Sequence, residues 1–260
     1  MQINSPSLIS PGPSQANQKS SAQLSSGLRI QSAADDAAGL QIAQGMNSQV
    51  RGLNQGLRNL TDATSLVQSR EAISGTLVDN LQRMRELSLA AGNGINSQQD
   101  RDALNKEFQA LNQQNAELLQ NSQFNGQSLF NSQAGQVNLG NSGQNFSLNG
   151  NQLAEQLGQG VLQGLSLNDP EALNKIDQAL ELANASRAQD GASLNGIAQA
   201  SKTLESNSLN QQRSLSSIQD TDFAKTISQL RQSQTQEQAQ ILLQAQANAN
   251  SGQVLRLLGG

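Results

Sequence analysis

The sequence predicts a mainly α-helical protein in which long antiparallel rods form a coiled-coil bundle with a small β-hairpin region. Hydrophobic residues make up 35% of the chain and aromatic residues only 2%, without Trp or Tyr, which is too little bulk for a wide core. Instead, apolar residues recur in alternating steps of four and three over two long segments, the period of a helix seam. Between these segments, a Gly-, Asn- and Ser-rich stretch alternates apolar with polar residues, as strands do.

The first segment, up to about Leu24, is rich in Ser, Gln, Asn and Pro and contains Pro11-Gly12-Pro13. It offers little apolar surface, so we expect it to be disordered in the free chain. Because an interior proline costs a helix roughly 3 kcal/mol, a helix can run only from about Ser14 onward.

A long helix is predicted to begin at Ser32-Ala-Ala-Asp35, which has capping-box spacing. It would continue to Ala91, a length of roughly 90 Å, and end where Gly92 supplies a left-handed cap. A second apolar stripe beside the seam indicates more than one neighbouring element. The seam positions are Met46, Val50, Leu53, Leu57, Leu60, Thr64, Val67, Glu71, Ser74, Val78 and Leu81.

A shorter helix, capped by Ser97, is predicted to fold back antiparallel on the long one. Its seam is formed by Leu104, Phe108, Leu111, Asn115 and Leu118. The following region, about 125–168, holds the two alternating runs Gln136-Val-Asn-Leu139 and Asn145-Phe-Ser-Leu148. These predict a β-hairpin, whereas the Gly-rich chain after it gives no clear assignment.

The second long helix is predicted to start at Asp169-Pro170, an N-cap followed by proline at the first helical position. Its seam is polar at several points, which are either buried polar contacts that fix the register or weak sites. Asp220-Thr-Asp222 marks a break before a last amphipathic segment. The seam positions are Leu173, Ile176, Leu180, Ala183, Arg187, Asp190, Leu194, Ile197, Ser201, Leu204, Ser208, Gln211, Leu215 and Ile218.

Composition excludes several functional classes. The chain has neither Cys nor His, so disulfides, thiolate or histidine metal sites and histidine-dependent nucleophiles are excluded. A net charge of -4 without a basic block speaks against nucleic acid, and no apolar run approaches a membrane span. The start has no signal-peptide pattern. Asp35 and Asp36 are adjacent on a helix and point apart, so they do not form a catalytic pair. We therefore expect no enzyme activity, no cofactor and no metal.

Several motifs resemble those of bacterial flagellins. Near the N terminus these are Leu24-Ser-Ser-Gly-Leu-Arg-Ile30 and Ser32-Ala-Ala-Asp-Asp-Ala-Ala-Gly-Leu40. The resemblance continues through Asn80-Leu-Gln-Arg-Met-Arg-Glu-Leu87 and Phe124-Asn-Gly126. Near the C terminus it includes Ile218-Gln-Asp-Thr-Asp-Phe-Ala224 and Gln240-Ile-Leu-Leu-Gln-Ala-Gln-Ala-Asn248. The stretches bracket most of the chain and follow the family order.

The resemblance implies a structural subunit that polymerises into the extracellular flagellar filament for motility, by folding of its termini on assembly. It implies the flagellin-like arrangement of an inner domain (D0) and a rod domain (D1), without outer domains. Residues 1–36 and 220–260 would be the two halves of the inner domain, and residues 37–219 the rod with its hairpin region. Export would use the flagellar type III apparatus, without a cleaved signal peptide.

The resemblance also suggests partners and contact residues. The partners would be further copies of the chain, the cap and hook-associated proteins and an export chaperone. Arg83, Leu87 and Glu107 fall on positions through which many flagellins contact Toll-like receptor 5 of animal hosts; without the resemblance, they are two solvated charges and a seam residue. The assembly interface would contain Leu28, Arg29, Asp35, Asp36, Ile227, Leu230, Ile241, Leu242 and Leu255.

Two other functions stay open. A hook–filament junction protein shares the helical ends but forms only a short ring. A non-motility cell-surface protein built on flagellin helices would bind a polysaccharide or a host receptor as a monomer.

Overall fold

The structure, a computed structural model, describes residues 15–131, 133, 135–140 and 144–258, and their side chains except those of 159, 251 and 254–258. It confirms the predicted mainly helical fold. The helices are α1 (Gln15–Ser26), α2 (Ala33–Ala91), α3 (Gln98–Asn121), a π-helix (Ala154–Val161), α4 (Ala172–Gln219) and α5 (Phe223–Leu258). The strands are β1 (Gln123–Phe124), β2 (Gln127–Ser128), β3 (Gly135–Asn138) and β4 (Asn145–Leu148).

The chain divides into two compact units. The first comprises residues 1–48 and 211–260, and the second comprises residues 49–210. Helices α2 and α4 each contribute a segment to both units. The second unit holds the two clusters of buried hydrophobic residues.

One end of the second unit is a core shared by α2, α3, the π-helix and the start of α4. Helix α3 runs antiparallel to α2, as predicted, since Asn80 bonds to Asn115 and Arg83 to Glu107. The π-helix lies in the segment that the sequence left unassigned, and its region buries Leu153, Leu157, Leu162 and Leu165. The fully buried Phe108 lies in this core. This part of α2 thus has the several neighbours that its wide apolar face predicts.

The β-hairpin covers a second cluster of the same unit. Strands β3 and β4 pair antiparallel with Val137 opposite Phe146, which confirms the predicted hairpin. Its apolar side chains pack with α2 and α4 around Leu60, Val67 and Ile197. The hairpin therefore closes the seam between the two long helices where the sequence alternation predicts an apolar strand face.

Two glycines of α2 admit the hairpin backbone at close range. A Cβ atom at Gly52 would lie 2.2 Å from the Gly140 carbonyl oxygen, and one at Gly56 would lie 2.2 Å from that of Leu139. Gly140 itself has a φ of 73°, which a residue with a side chain rarely adopts. Asn59 donates a hydrogen bond of 2.8 Å to the Asn138 carbonyl. Glycine is thus required where the hairpin meets α2.

Several helix ends match the sequence predictions. Ser97 caps α3 in a complete capping box with Asp100, and these hydrogen bonds from Ser97 lower the pKa of the Asp100 carboxyl. Asp169 accepts the Glu171 N–H at 2.9 Å just before α4. This bond, and then Lys175, lower the pKa of Asp169. The predicted break at Asp220–Asp222 separates α4 from α5.

Other ends differ from prediction. Gly92 does not adopt the left-handed conformation. At the end of α2, the Gly92 N–H instead donates to the Ser88 carbonyl, and the Asn96 side-chain amide donates to the Ala90 carbonyl. Helix α2 is interrupted at Asp36, whose backbone is extended. A helix also occupies residues 15–26, where disorder was expected, because α5 supplies a surface for it to pack on. The prolines at 6, 11 and 13 lie outside the described residues.

The predicted seams of the two long helices are confirmed. Every predicted position of α4 is buried or half-buried. The predicted positions of α2 are likewise buried or half-buried, and Arg70, beside the half-buried Glu71, is buried as well.

Candidate assembly and receptor surfaces

The predicted assembly residues Leu28 and Arg29 join the two terminal segments of the first unit. Leu28 forms a β-bridge with Asp220. The Arg29 N–H donates to the Gln219 carbonyl at 2.7 Å, and its guanidinium donates to the Ile218 carbonyl. Both carbonyls belong to the last turn of α4, which lacks helical donors. Arg29 therefore stabilises a helix end within its own chain, and its place in the assembly interface stays a prediction.

Asp35 and Asp36 organise the start of α2 within the same unit. Asp35 forms an ion pair of 2.8 Å with Lys19 of α1 and accepts the N–H groups of Gln31 and Ser32. The Lys19 contact, followed by the Gln31 N–H, lowers the pKa of Asp35 to about 2. Asp36 accepts the Gly39 N–H at 2.8 Å, as an N-cap does. Both carboxylates thus have roles in helix initiation.

Helix α5 carries the remaining predicted assembly residues. Ile227 is 42% exposed, Ile241 45% and Leu242 70%, and their neighbour Leu243 is 67% exposed. Leu230 is half-buried. Every described side chain from 241 to 250 is exposed. The side chain of Leu255 lies outside the described residues. This stretch of α5 therefore presents apolar side chains that the described part of the chain does not cover.

The contact between α1 and α5 is polar. Asn17, which is buried, donates to the Glu237 carboxylate at 2.5 Å. A groove of about 510 Å³ separates the two antiparallel helices, and Lys19 is the charged side chain of its lining. The lining residues are Ala16, Lys19, Ser20, Gln23, Gln229, Gln232, Ser233 and Gln236.

The three predicted receptor residues lie near one another in the second unit, but they differ in exposure. Arg83 donates to Glu107 at 2.9 Å and to Glu86 at 3.0 Å. Contact with Glu107, and then with Glu86, raises the pKa of Arg83. The side chains of Arg83 and Glu107 are 50% and 45% exposed, whereas Leu87 is only 2% exposed and belongs to the core. The Arg83–Glu107 ion pair is therefore accessible at the surface, whereas Leu87 is buried in the core.

A buried ion pair between α2 and α4 was not predicted as such. Arg70 donates to Asp190 from Nε at 2.8 Å and also from Nη2. Burial raises the pKa of the Asp190 carboxyl, and the Arg70 guanidinium opposes this shift. Asp190 was a predicted seam position, but nothing in the periodicity marks Arg70, because an arginine in a helix is ordinarily exposed.

Metal and membrane features are absent from the described part of the chain. No cluster of three acidic ligands that could hold a metal ion occurs there. No helix within the same residues is both long and apolar enough to span a bilayer.

Comparison with known proteins identifies the family. Residues 12–134 match the bacterial flagellin N-terminal helical region, and residues 173–258 match the flagellin C-terminal helical region. Flagellin from Halalkalibacterium halodurans is 36% identical over 93% of this chain and 91% of its own length. The chain belongs to the bacterial flagellin family. Flagellins are structural proteins, so this flagellin is not an enzyme.

Further relatives and structures agree with this assignment. The flagellar filament 30.7 kDa core protein of Treponema maltophilum is 35% identical, covering 91% of this flagellin and 90% of the relative. The crystal structure of Bacillus cereus flagellin matches with a TM-score of 0.50 and 26% identity, covering 56% of this chain and 88% of that one. A hook-associated protein of Vibrio parahaemolyticus, 15% identical with a TM-score of 0.50, shows the fold alone.

Proposed function

We propose that this flagellin is a structural subunit of the extracellular flagellar filament and polymerises through its terminal helices. The exposed Ile241, Leu242 and Leu243 of α5 carry the proposal. Covering such adjacent apolar side chains with another molecule lowers the free energy of the system. A second copy of the chain is the occupant that membership of a filament-forming family supports.

Coupled folding is the proposed mechanism of assembly. The α1–α5 contact is lined mainly by amides and hydroxyls, which contribute little net stability. Such terminal helices gain most of their order from neighbouring subunits. Residues 1–36 and 220–260 would accordingly form the inner domain of the filament, with residues 37–219 as the rod.

The test is polymerisation of the purified chain, followed by negative-stain electron microscopy after seeding. We expect uniform tubes from the wild type, and soluble helical monomers from a deletion of residues 241–260. Leu230→Asp should also prevent assembly, since it places an unpaired charge in the interface; Gln68→Asp, an exposed change outside the terminal helices, is the control. Filaments formed by the deletion variant would refute the mechanism. Short rings would favour a junction protein, and persistent wild-type monomers a surface-binding protein.

We further propose that α5 contacts other proteins before and during assembly. An export chaperone would cover its exposed apolar residues in the free chain, and cap and hook-associated proteins would meet the same helices at the filament ends. Export without a cleaved signal peptide would leave the N-terminal segment of this chain intact in the filament. N-terminal sequencing of chains taken from filaments tests this point.

A host receptor of the Toll-like receptor 5 type is proposed to recognise the exposed Arg83–Glu107 ion pair. Arg83→Ala should weaken binding of the receptor ectodomain to the monomer, whereas Arg85→Ala should not, although Arg85 is a similarly exposed arginine paired with Asp177. Equal binding of both variants would contradict the proposal. Leu87→Ala is unsuitable as a probe, because loss of a buried leucine costs about 2–5 kcal/mol of stability.

A further inference from the structure

The Arg70–Asp190 ion pair occupies the interior of the second unit. Both side chains are 1% exposed. Arg70 uses Nε and Nη2 on the same carboxylate oxygen, Oδ1, whereas Oδ2 is buried and has no hydrogen-bond partner among the described residues. Arg187 of α4 and Glu71 of α2 are the charged neighbours, 4.0 Å from each other. The pair is thus incompletely satisfied, which is a poor arrangement for stability.

The surrounding seam would accept apolar residues instead. One turn or two from Arg70 on α2 lie Leu66, Val67, Ile73 and Leu77. On α4, the corresponding neighbours of Asp190 include Ala183, Leu194 and Ile197. Replacing a buried ion pair by packed apolar residues is often neutral or stabilising. The presence of the pair therefore calls for an explanation other than stability.

The sequence around the pair supplies that explanation. If α4 slid by three, four or seven residues, Arg70 would face Ser186, Arg187 or Ser193, or an apolar residue, and never a carboxylate. The same slide of α2 would bring no other cation to Asp190. A purely apolar seam would tolerate such slips. With the ion pair present, each slip would leave a charge buried without its partner, which is energetically costly. Only the observed register pairs both charges.

Arg70 also contacts the chain that leaves the β-hairpin. Its Nη1 lies 3.5 Å from the carbonyl oxygen of Asn149, directly after β4. One guanidinium therefore touches two segments that approach α2 from different parts of the sequence, and any slip of α2 would disturb both contacts.

We propose that the Arg70–Asp190 pair sets the register of α2 against α4 in the second unit and positions the end of the β-hairpin. It acts by making alternative registers unfavourable rather than by stabilising the observed one. The role matters to a helical polymer, because every subunit has to present the same surface to its neighbours.

Distance measurement between two spin labels tests this on the full-length chain. The chain contains no cysteine, so Gln68→Cys on α2 and Ala198→Cys on α4, both exposed, can be labelled selectively. Wild-type pairing should give one narrow distance. The variant Arg70→Met/Asp190→Leu should remain helical and at least as resistant to urea, but give a second distance, because a seven-residue slip moves one label by about 10 Å along the helix.

The matched control removes an exposed ion pair between the same two helices. Arg85→Met/Asp177→Leu should leave the single narrow distance unchanged, since both charges are more than 40% exposed. One unaltered distance in the apolar variant of the buried pair would overturn the proposal. Loss of its helical structure would overturn it as well, because the pair would then serve stability. The readout requires no filament, so it is independent of the assembly test.

Discussion

The approach of the hairpin to α2 makes Gly52 the most informative position for a single substitution. Gly52→Ala would place a Cβ atom 2.2 Å from the Gly140 carbonyl oxygen, so the oxygen has to retreat by about 1 Å to reach ordinary contact. The oxygen belongs to the backbone, and the hairpin therefore moves with it. Gly75, in the same helix and the same unit, is the matched control, because a Cβ there would meet no atom of the described residues within 4 Å.

The two alanine variants differ in one contribution to the free energy of unfolding, the overpacking against the hairpin. Each gains about 1 kcal/mol from replacing a helical glycine. Overpacking at Gly52 costs about 1–3 kcal/mol in return, and the Asn59 bond to the Asn138 carbonyl weakens as the hairpin lifts. We therefore expect Gly75→Ala to be more stable than the wild type, and Gly52→Ala to be less stable than Gly75→Ala by about 1–3 kcal/mol.

Urea unfolding followed by circular dichroism measures the difference. Hydrogen exchange localises it, since the β4 amides of residues 145–148 should exchange faster in Gly52→Ala alone. Equal stability of the two variants, with unchanged exchange in β4, would refute the close approach.

Two other predictions concern the helix starts. Ser97→Ala should destabilise the chain by about 1 kcal/mol in urea unfolding, because the N-cap of α3 loses its side-chain acceptor; an unchanged midpoint would contradict the capping box. The pKa of Asp35 is lowered to about 2, so its stabilising contribution is present above the unfolded pKa near 4 and is lost as the pH falls through 2. The protection factors of the Gln31 and Ser32 amides, which correct for the intrinsic pH dependence of exchange, should fall over that window in the wild type, whereas in Asp35→Asn they should be low throughout.

The seams could be predicted from sequence because burial follows a period. Ile176, Ala183, Ile197 and Leu204 all lie at predicted positions and all are buried. A helix repeats its environment every few residues, so a list of apolar spacings carries the information. The caps at Ser97 and Asp169 were predictable for a similar reason, since a cap depends on residues only a few positions apart.

Contacts between distant segments left weaker signals. Arg70 resembles a surface residue in sequence, and only its partner 120 positions away explains its burial. The end of α2 depends on the Asn96 side chain and not on a left-handed conformation of the glycine that follows the helix. Gly52 and Gly56 did leave a signal, because two glycines one turn apart weaken a helix unless something approaches closely. Periodicity could not identify the hairpin as that partner.

The polar contact between α1 and α5 affects how the pairing of these helices responds to temperature and salt. Apolar contacts weaken on cooling, and ion pairs between exposed charges weaken as salt rises. The groove between the two helices is lined by four glutamines, two serines, one alanine and one lysine, so this contact depends little on either variable. Pairing of the two terminal helices should therefore vary little between cold and warm, or fresh and saline, surroundings.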